Sequence, residues 1–157
     1  MTAAAFQPSP VGSALRAGPA RSKASETEQG LVTEDDIASL VEAFYAKVRR
    51  DPQLGPIFAG AIGDDGWADH LATLRDFWSS VMLTSGRYKG APLAVHMRLD
   101  GLTPSLFDRW LTLFGETCDE LFEPRRAGAF RAKAARIAQS LLLGLSRQSG
   151  AARRARS

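Results

Sequence analysis

This 157-residue chain contains two histidines, His70 and His96. His70 lies on the apolar stripe of a predicted helix, and His96 lies on a short predicted helix between two loops. A buried imidazole needs a hydrogen-bond partner or something to bind. Two more polar aromatic residues, Tyr45 and Trp110, face inward from two other predicted helices. The four side chains together predict a polar spot inside an otherwise apolar core.

These residue types suit a haem better than a bare metal ion. The chain has no His-x₃-His or Cys-x₂-Cys spacing of the kind that zinc sites use, and its one cysteine, Cys118, is isolated on a helix. A haem iron needs one protein ligand, apolar walls and a polar corner on its other side. His96 is the better ligand, because a metal bond would tether a short helix that is poorly stabilised by itself. Taken singly, Tyr45, His70 and Trp110 are each more typical of a core than of a site.

The positive charge of the chain lies mainly at its two ends. The net charge is +3 and the sequence pI is about 9.4. Residues 31–149 nevertheless hold 14 basic and 15 acidic residues, so a folded nucleic-acid-binding face is not expected. No apolar run approaches the roughly 18 residues of a membrane span. One cysteine excludes an internal disulfide and is compatible with a reducing compartment, so we expect a cytoplasmic protein.

The composition divides the chain into three parts. Residues 1–30 are rich in Ala, Pro, Ser and Gly and are predicted to be a disordered tail with a faint likeness to a transit peptide. Residues 31–149 form the folded domain, and residues 150–157 are predicted to be a basic disordered tail.

Caps, prolines and apolar spacing predict an all-α domain with four main helices. These run from Thr33 to Pro52, from Gly63 to about Leu83, from Thr103 to about Leu121 and from near Pro124 to about Leu145. A short helix from Leu93 to about Met97 follows Pro92, and residues 54–58 are predicted to be a turn or a 3₁₀ piece.

Several short sequence motifs occur along the chain in a characteristic order. They are Phe44-Tyr45-Ala46-Lys47-Val48-Arg49, Leu54-Gly55-Pro56-Ile57-Phe58, Ala61-Ile62-Gly63, His70, Phe77-Trp78, Tyr88-Lys89-Gly90-Ala91-Pro92-Leu93, His96, Trp110-Leu111 and Phe114. In this order, over about residues 33–145, they resemble the truncated haemoglobins, most closely the group III branch. The Gly-Gly pairs typical of groups I and II are missing, as in group III.

This resemblance implies a truncated two-over-two globin-like helical sandwich with haem b in its core. His96 would be the proximal iron ligand, oriented through its other nitrogen by a backbone carbonyl. Tyr45, His70 and Trp110 match the distal positions, and Phe58 would stack on the porphyrin. The apolar wall would comprise Leu74, Phe77, Trp78, Leu93, Met97 and Leu113. Lys89 and Arg98 are the nearest basic residues for the haem propionates.

The implied ligands are dioxygen, nitric oxide, carbon monoxide and peroxide. Hydrogen bonds from Tyr45 and Trp110, at about 1.5–3 kcal/mol each, would slow dioxygen release by roughly two to four orders of magnitude. Such retention favours reactive oxygen, peroxide or nitric oxide chemistry over bulk oxygen transport, as in a haem peroxidase or a nitric oxide dioxygenase served by an unidentified reductase. The alternatives are an oxygen carrier or gas sensor without turnover, and a cofactor-free helical adaptor. The adaptor would leave His70, Tyr45 and Trp110 as unrelated coincidences.

Overall fold

The structure is a computed structural model that describes residues 31–97, 99 and 101–156. The described part is mostly helical and contains no strand, which confirms the all-α prediction. Its compact unit is Val32–Ser157, and the predicted tail 1–30 lies outside the described residues. The helices of this unit are α1 (Glu34–Arg50), α2 (Gly55–Ile62), α3 (Trp67–Leu83), α4 (Pro92–Met97), α5 (Pro104–Leu121) and α6 (Pro124–Arg156), with a 3₁₀ turn at Asp64–Gly66.

Helix α1 begins where the sequence predicts. The Thr33 hydroxyl accepts from the Asp36 backbone N–H at 3.1 Å, and the Asp36 carboxylate accepts from the Thr33 N–H at 3.0 Å. This capping box satisfies two backbone donors that the first turn would leave unpaired. The helix buries one apolar stripe: Ile37, Leu40, Val41, Phe44, Tyr45 and Val48.

The buried carboxylate of Asp51 organises the corner after α1. It accepts hydrogen bonds from the backbone N–H groups of Gln53 (3.0 Å) and Leu54 (2.9 Å). Arg109 of α5 donates to it through Nε at 2.9 Å and Nη2 at 2.7 Å. Burial alone would raise the pKa of Asp51, but the hydrogen bonds from Arg109, Leu54 and Gln53 outweigh it and the pKa is lowered. The ionised carboxylate therefore ties the α1–α2 corner to α5.

The prediction of a turn or 3₁₀ piece at residues 54–58 was wrong, because the segment belongs to the eight-residue helix α2. Pro56 lies in the first turn, where a missing N–H costs nothing. The helix runs on past Phe58 and ends at Gly63, whose φ of +76° favours glycine.

Helix α6 is also longer than predicted. Its 33 residues continue to Arg156, so residues 150–156 are helical rather than a disordered tail. The residues that follow Gly150 are mainly Ala and Arg, which are strong helix formers and extend the helix beyond its packed part.

Helix α5 packs most extensively on α6, α1 lies against both α5 and α3, and the short α4 lies on α6. At the centre the Phe114 ring stacks on Trp78 and Trp110, with ring centroids 5.0 Å and 5.2 Å apart. None of the helices in the described part is both long and apolar enough to cross a membrane.

Candidate functional site

A cavity of about 400 Å³ is lined by side chains from all of the helices α1 to α6. The volume falls within the range of small-molecule and cofactor pockets. Its polar ring and hydroxyl groups come mainly from Tyr45, His70, Tyr88, His96 and Trp110, and most other lining side chains are apolar.

The structure brings most of the predicted site residues to this cavity. Both histidines line it, together with six other residues that the sequence singled out: Tyr45, Phe58, Leu74, Phe77, Trp78 and Trp110.

Four other predicted residues that the structure describes do not appear on the cavity wall. Leu93 turns toward α6 and packs against Gly144, and Leu113 is buried elsewhere. The Met97 side chain is 44% exposed, and Lys89 is also exposed. Arg98 lies outside the described residues.

The His96 ring is held by its own helix. Its Nδ1 lies 2.7 Å from the carbonyl oxygen of Pro92, one turn earlier in α4. A carbonyl can only accept, so in this hydrogen bond Nδ1 carries the proton. In the neutral tautomer that this bond selects, the other ring nitrogen, Nε2, carries the lone pair. His96 is therefore an imidazole on the cavity wall whose Nε2 is the nitrogen left to ligate a metal.

Tyr45 and Trp110 form a coupled donor pair. Burial raises the pKa of Tyr45 far above its usual range, and a hydrogen bond with the Trp110 side chain partly offsets this rise. The indole N–H can only donate, so the Tyr45 oxygen accepts from it. The Tyr45 hydroxyl thus stays protonated at neutral pH, and its own O–H is left to donate elsewhere.

His70 presents an unsatisfied polar atom. Its Nε2 is buried and has no hydrogen-bond partner in the described protein. Burial lowers the pKa of His70, so the ring is neutral at neutral pH. The ring stands edge-on to Tyr45 and Trp67, with centroids 5.9 Å and 5.5 Å apart. Leaving such an atom unpaired costs about 1–3 kcal/mol, which indicates a ligand that pairs with it.

The sequence did not reveal the rest of the wall. Phe107, Ile137, Ala138 and Leu141 line the cavity, but the periodicity of α5 and α6 marks them simply as inward-facing core residues. Tyr88 also lines the cavity, and its place in the motif Tyr88-Lys89-Gly90-Ala91-Pro92-Leu93 did not predict this. Apolar spacing cannot distinguish a residue that fills a core from one that borders a cavity.

The residues present fit a haem. The described residues hold no group of three or more His, Cys, Asp or Glu side chains that could bind a metal ion. A porphyrin supplies its own nitrogen ligands and needs one from the protein, and His96 Nε2 meets this need. The apolar wall suits the porphyrin, and the orphaned His70 Nε2 suits a polar ligand beside it.

Comparison with known proteins places the chain in a family. A scan against models of protein families found no match. The chain is 38% identical over 109 residues to the group 3 truncated hemoglobin ctb of Campylobacter jejuni, a match covering 68% of this chain and 86% of that protein. It also matches the crystal structure of the group III truncated hemoglobin from Campylobacter jejuni, with a TM-score of 0.69, 36% identity, and coverage of 73% of this chain and 91% of that one. The chain therefore belongs to the group III truncated haemoglobins and has their globin fold, the fold of a family that binds haem and diatomic gases.

Proposed function

We propose that the chain binds haem b through Nε2 of His96. The observation that carries this proposal is the 2.7 Å hydrogen bond from His96 Nδ1 to the Pro92 carbonyl. It fixes the tautomer, aims a free lone pair from the cavity wall and raises the basicity of the ligating nitrogen.

The cavity wall supplies the other contacts. Phe58 and Phe77 would pack on the porphyrin, with Leu74 and Trp78 completing the apolar surround. An apolar surround excludes water, and this exclusion strengthens each hydrogen bond made inside the cavity.

When bound, the haem supplies an iron at which dioxygen, nitric oxide or carbon monoxide is held. The chain's own polar groups then act on that gas. Tyr45 donates its O–H, because its oxygen already accepts from Trp110. The unpartnered Nε2 of His70 provides a second polar contact. Donors aimed at a ligand that accumulates negative charge stabilise it in this dry environment.

This donor arrangement favours retention of dioxygen over its rapid exchange. We therefore propose that the protein brings dioxygen into reaction with nitric oxide, or turns over peroxide, and does not serve bulk transport. An oxygen carrier without turnover would need to release dioxygen easily. A gas sensor would need a partner that carries its output.

Reconstitution with haemin followed by rapid mixing tests the proposal. We expect a strong Soret band, slow dioxygen release, and stoichiometric nitrate when the oxygenated protein meets nitric oxide. The Tyr45→Phe variant is the matched control, which keeps the ring and should release dioxygen faster. A protein without a Soret band would be the helical adaptor, and one with fast release and no nitrate would be a carrier.

A further inference from the structure

Charge is strongly segregated in this chain. Helix α6 (Pro124–Arg156) contains nine basic residues and no acidic one. Residues 31–123 contain eight basic and fifteen acidic residues. The small net charge of the whole chain therefore conceals a basic helix attached to an acidic body.

Four exposed arginines of α6 lie along one side of the helix. Arg125, Arg136, Arg147 and Arg154 follow one another at spacings of eleven, eleven and seven residues. At 3.6 residues per turn these spacings keep them within roughly 40° of each other, over a length of about 44 Å. Leu143 lies in the same stripe and is 52% exposed. We call these five residues the arginine face.

The charge of the arginine face is not neutralised within the described part of the chain. No acidic side chain there forms an ion pair with its four arginines. On the flank of the helix, by contrast, Arg126 lies 3.5 Å from Asp36, and Arg131 pairs with Asp119. The positive field of the stripe is thus directed to solvent.

The opposite side of the same helix borders the cavity. Ile137, Ala138 and Leu141 line the cavity, and Ile137 directly follows Arg136 in the chain. One helix diameter, about 10 Å, separates the two sides. Anything seated on the middle of the arginine face is therefore close to whatever the cavity holds.

We propose that the arginine face is the docking surface for an acidic electron-carrier protein. The inference rests on the proposed haem function, because reaction of dioxygen with nitric oxide leaves a ferric haem that must be reduced again. Electron-transfer complexes have small interfaces and are steered together by complementary charge. Leu143 gives this surface an apolar centre between Arg136 and Arg147, as protein interfaces have. A nucleic acid, which would bind through its phosphate backbone, would gain no favourable contact from that leucine.

The electron balance is simple for a flavodoxin-type donor. The anionic flavin hydroquinone loses one electron and becomes the neutral semiquinone. The ferric iron gains that electron and becomes ferrous, and no proton moves.

Stopped-flow reduction of the ferric protein by reduced flavodoxin tests the proposal. The rate constant should fall as ionic strength rises. Arg136→Glu and Arg147→Glu should each slow reduction by about tenfold at low salt and flatten the salt dependence. The matched control is Arg50→Glu, an exposed arginine on α1 with the same change of charge, which should alter the rate by less than about twofold.

Binding of oxidised flavodoxin, followed by calorimetry, provides a readout that involves no electron transfer. It should weaken in the two α6 variants and not in Arg50→Glu. Equal rates and equal binding in all three variants would overturn the proposal. So would binding to phosphatidylglycerol vesicles that the α6 substitutions abolish while leaving flavodoxin reduction intact, since the face would then be a membrane contact. A missing Soret band would instead count against the proposed haem function, which makes the two failures distinguishable.

Discussion

One hydrogen bond decides what His96 can do. With its Nδ1 bound to the Pro92 carbonyl, the ring leaves Nε2 as the nitrogen that would ligate the proposed haem iron. Replacing His96 with Ala should leave haem weakly held, with a Soret band that is shifted and lost on gel filtration. Added imidazole should restore part of the spectrum by filling the space. An unchanged ferrous spectrum and full haem retention in His96→Ala, without imidazole, would refute the assignment.

Tyr45 and Trp110 should not behave as independent donors. The indole N–H is bonded to the Tyr45 oxygen, so removing it also frees the hydroxyl to rotate. We expect Tyr45→Phe to speed dioxygen release by about tenfold to a hundredfold, as loss of a hydrogen bond to a charged acceptor would. Trp110→Phe should have a smaller effect of the same sign.

A double-mutant cycle on dioxygen release by flash photolysis measures that coupling. The double variant should release dioxygen less rapidly than the product of the two single effects predicts. Strict additivity of the two activation free energies would show that the residues act separately.

The buried, neutral His70 makes stability depend on pH. Its pKa is lowered in the folded protein from 6.5, so below about pH 6.5 the unfolded chain takes up the proton first. The free energy of unfolding should therefore fall as pH drops from 6.5 through the lowered pKa, by at most about 1.4 kcal/mol per pH unit. Urea unfolding of the wild type and of His70→Gln at pH 7.5 and 5.5 measures this, and the difference between the two proteins should shrink or reverse at the lower pH. Identical pH profiles would contradict the prediction.

At the scale of single residues, the sequence predicted the polar residues of the cavity well and its apolar residues less well. Histidine, tyrosine and tryptophan facing inward are rare enough to be noticed, and the cavity gathers His70, His96, Tyr45 and Trp110. The family resemblance put Leu93 in the apolar wall, yet its side chain packs on Gly144. Which neighbour an apolar side chain contacts depends on tertiary packing that no local pattern encodes.

At the scale of elements, one close contact fixes α4 on α6. A Cβ atom added to Gly144 would lie 2.8 Å from both Cδ1 and Cδ2 of Leu93. Gly144→Ala should therefore displace the Leu93 side chain and α4 with it, and lower the free energy of unfolding by about 1 kcal/mol. It should also weaken haem binding, because His96 moves with α4.

Gly128 in the same helix is the matched control. A Cβ there would meet nothing within 4 Å, so Gly128→Ala should raise the free energy of unfolding by about 0.5–1 kcal/mol. Urea unfolding of both variants gives the comparison. Stabilisation by both substitutions would show that the contact of Gly144 with Leu93 does not constrain α4.

The sequence predicted that the main helices exist, but it predicted where they end only at positions that a capping side chain marks. Thr33 and Thr103 cap α1 and α5 as predicted, because a capping hydroxyl is a local signal. Helix α2 was missed because residues 54–58 alone are too short for a helix. The bond that ties the preceding corner to α5 joins Asp51 to Arg109, 58 residues away in the chain, and no local pattern reveals it. The run of α6 to Arg156 was missed because no large apolar residue follows Leu145 to mark the helix by its periodicity.

At the scale of the whole molecule, the compact unit begins at Val32. The segment before it has no apolar periodicity to contribute to a core. We expect removal of residues 1–30 to leave the midpoint of urea unfolding and the haem affinity unchanged, as measured by haem transfer to a competing apoprotein. A loss of more than about 1 kcal/mol in unfolding free energy would show that this segment belongs to the folded domain.

The helix α4 forms part of the cavity wall, but it is itself little buried. None of the six residues of α4 is buried, and Val95 lines the cavity while 45% exposed to solvent. A helix with so little covered surface sits at the low-stability end of a fold and opens locally far more often than its neighbours. Amide hydrogen exchange in α4 should accordingly be fast without haem and slow sharply once His96 is ligated. Cofactor capture and the ordering of α4 would then be a single cooperative event, and the protease sensitivity of this helix would report how much of the protein in a sample is loaded.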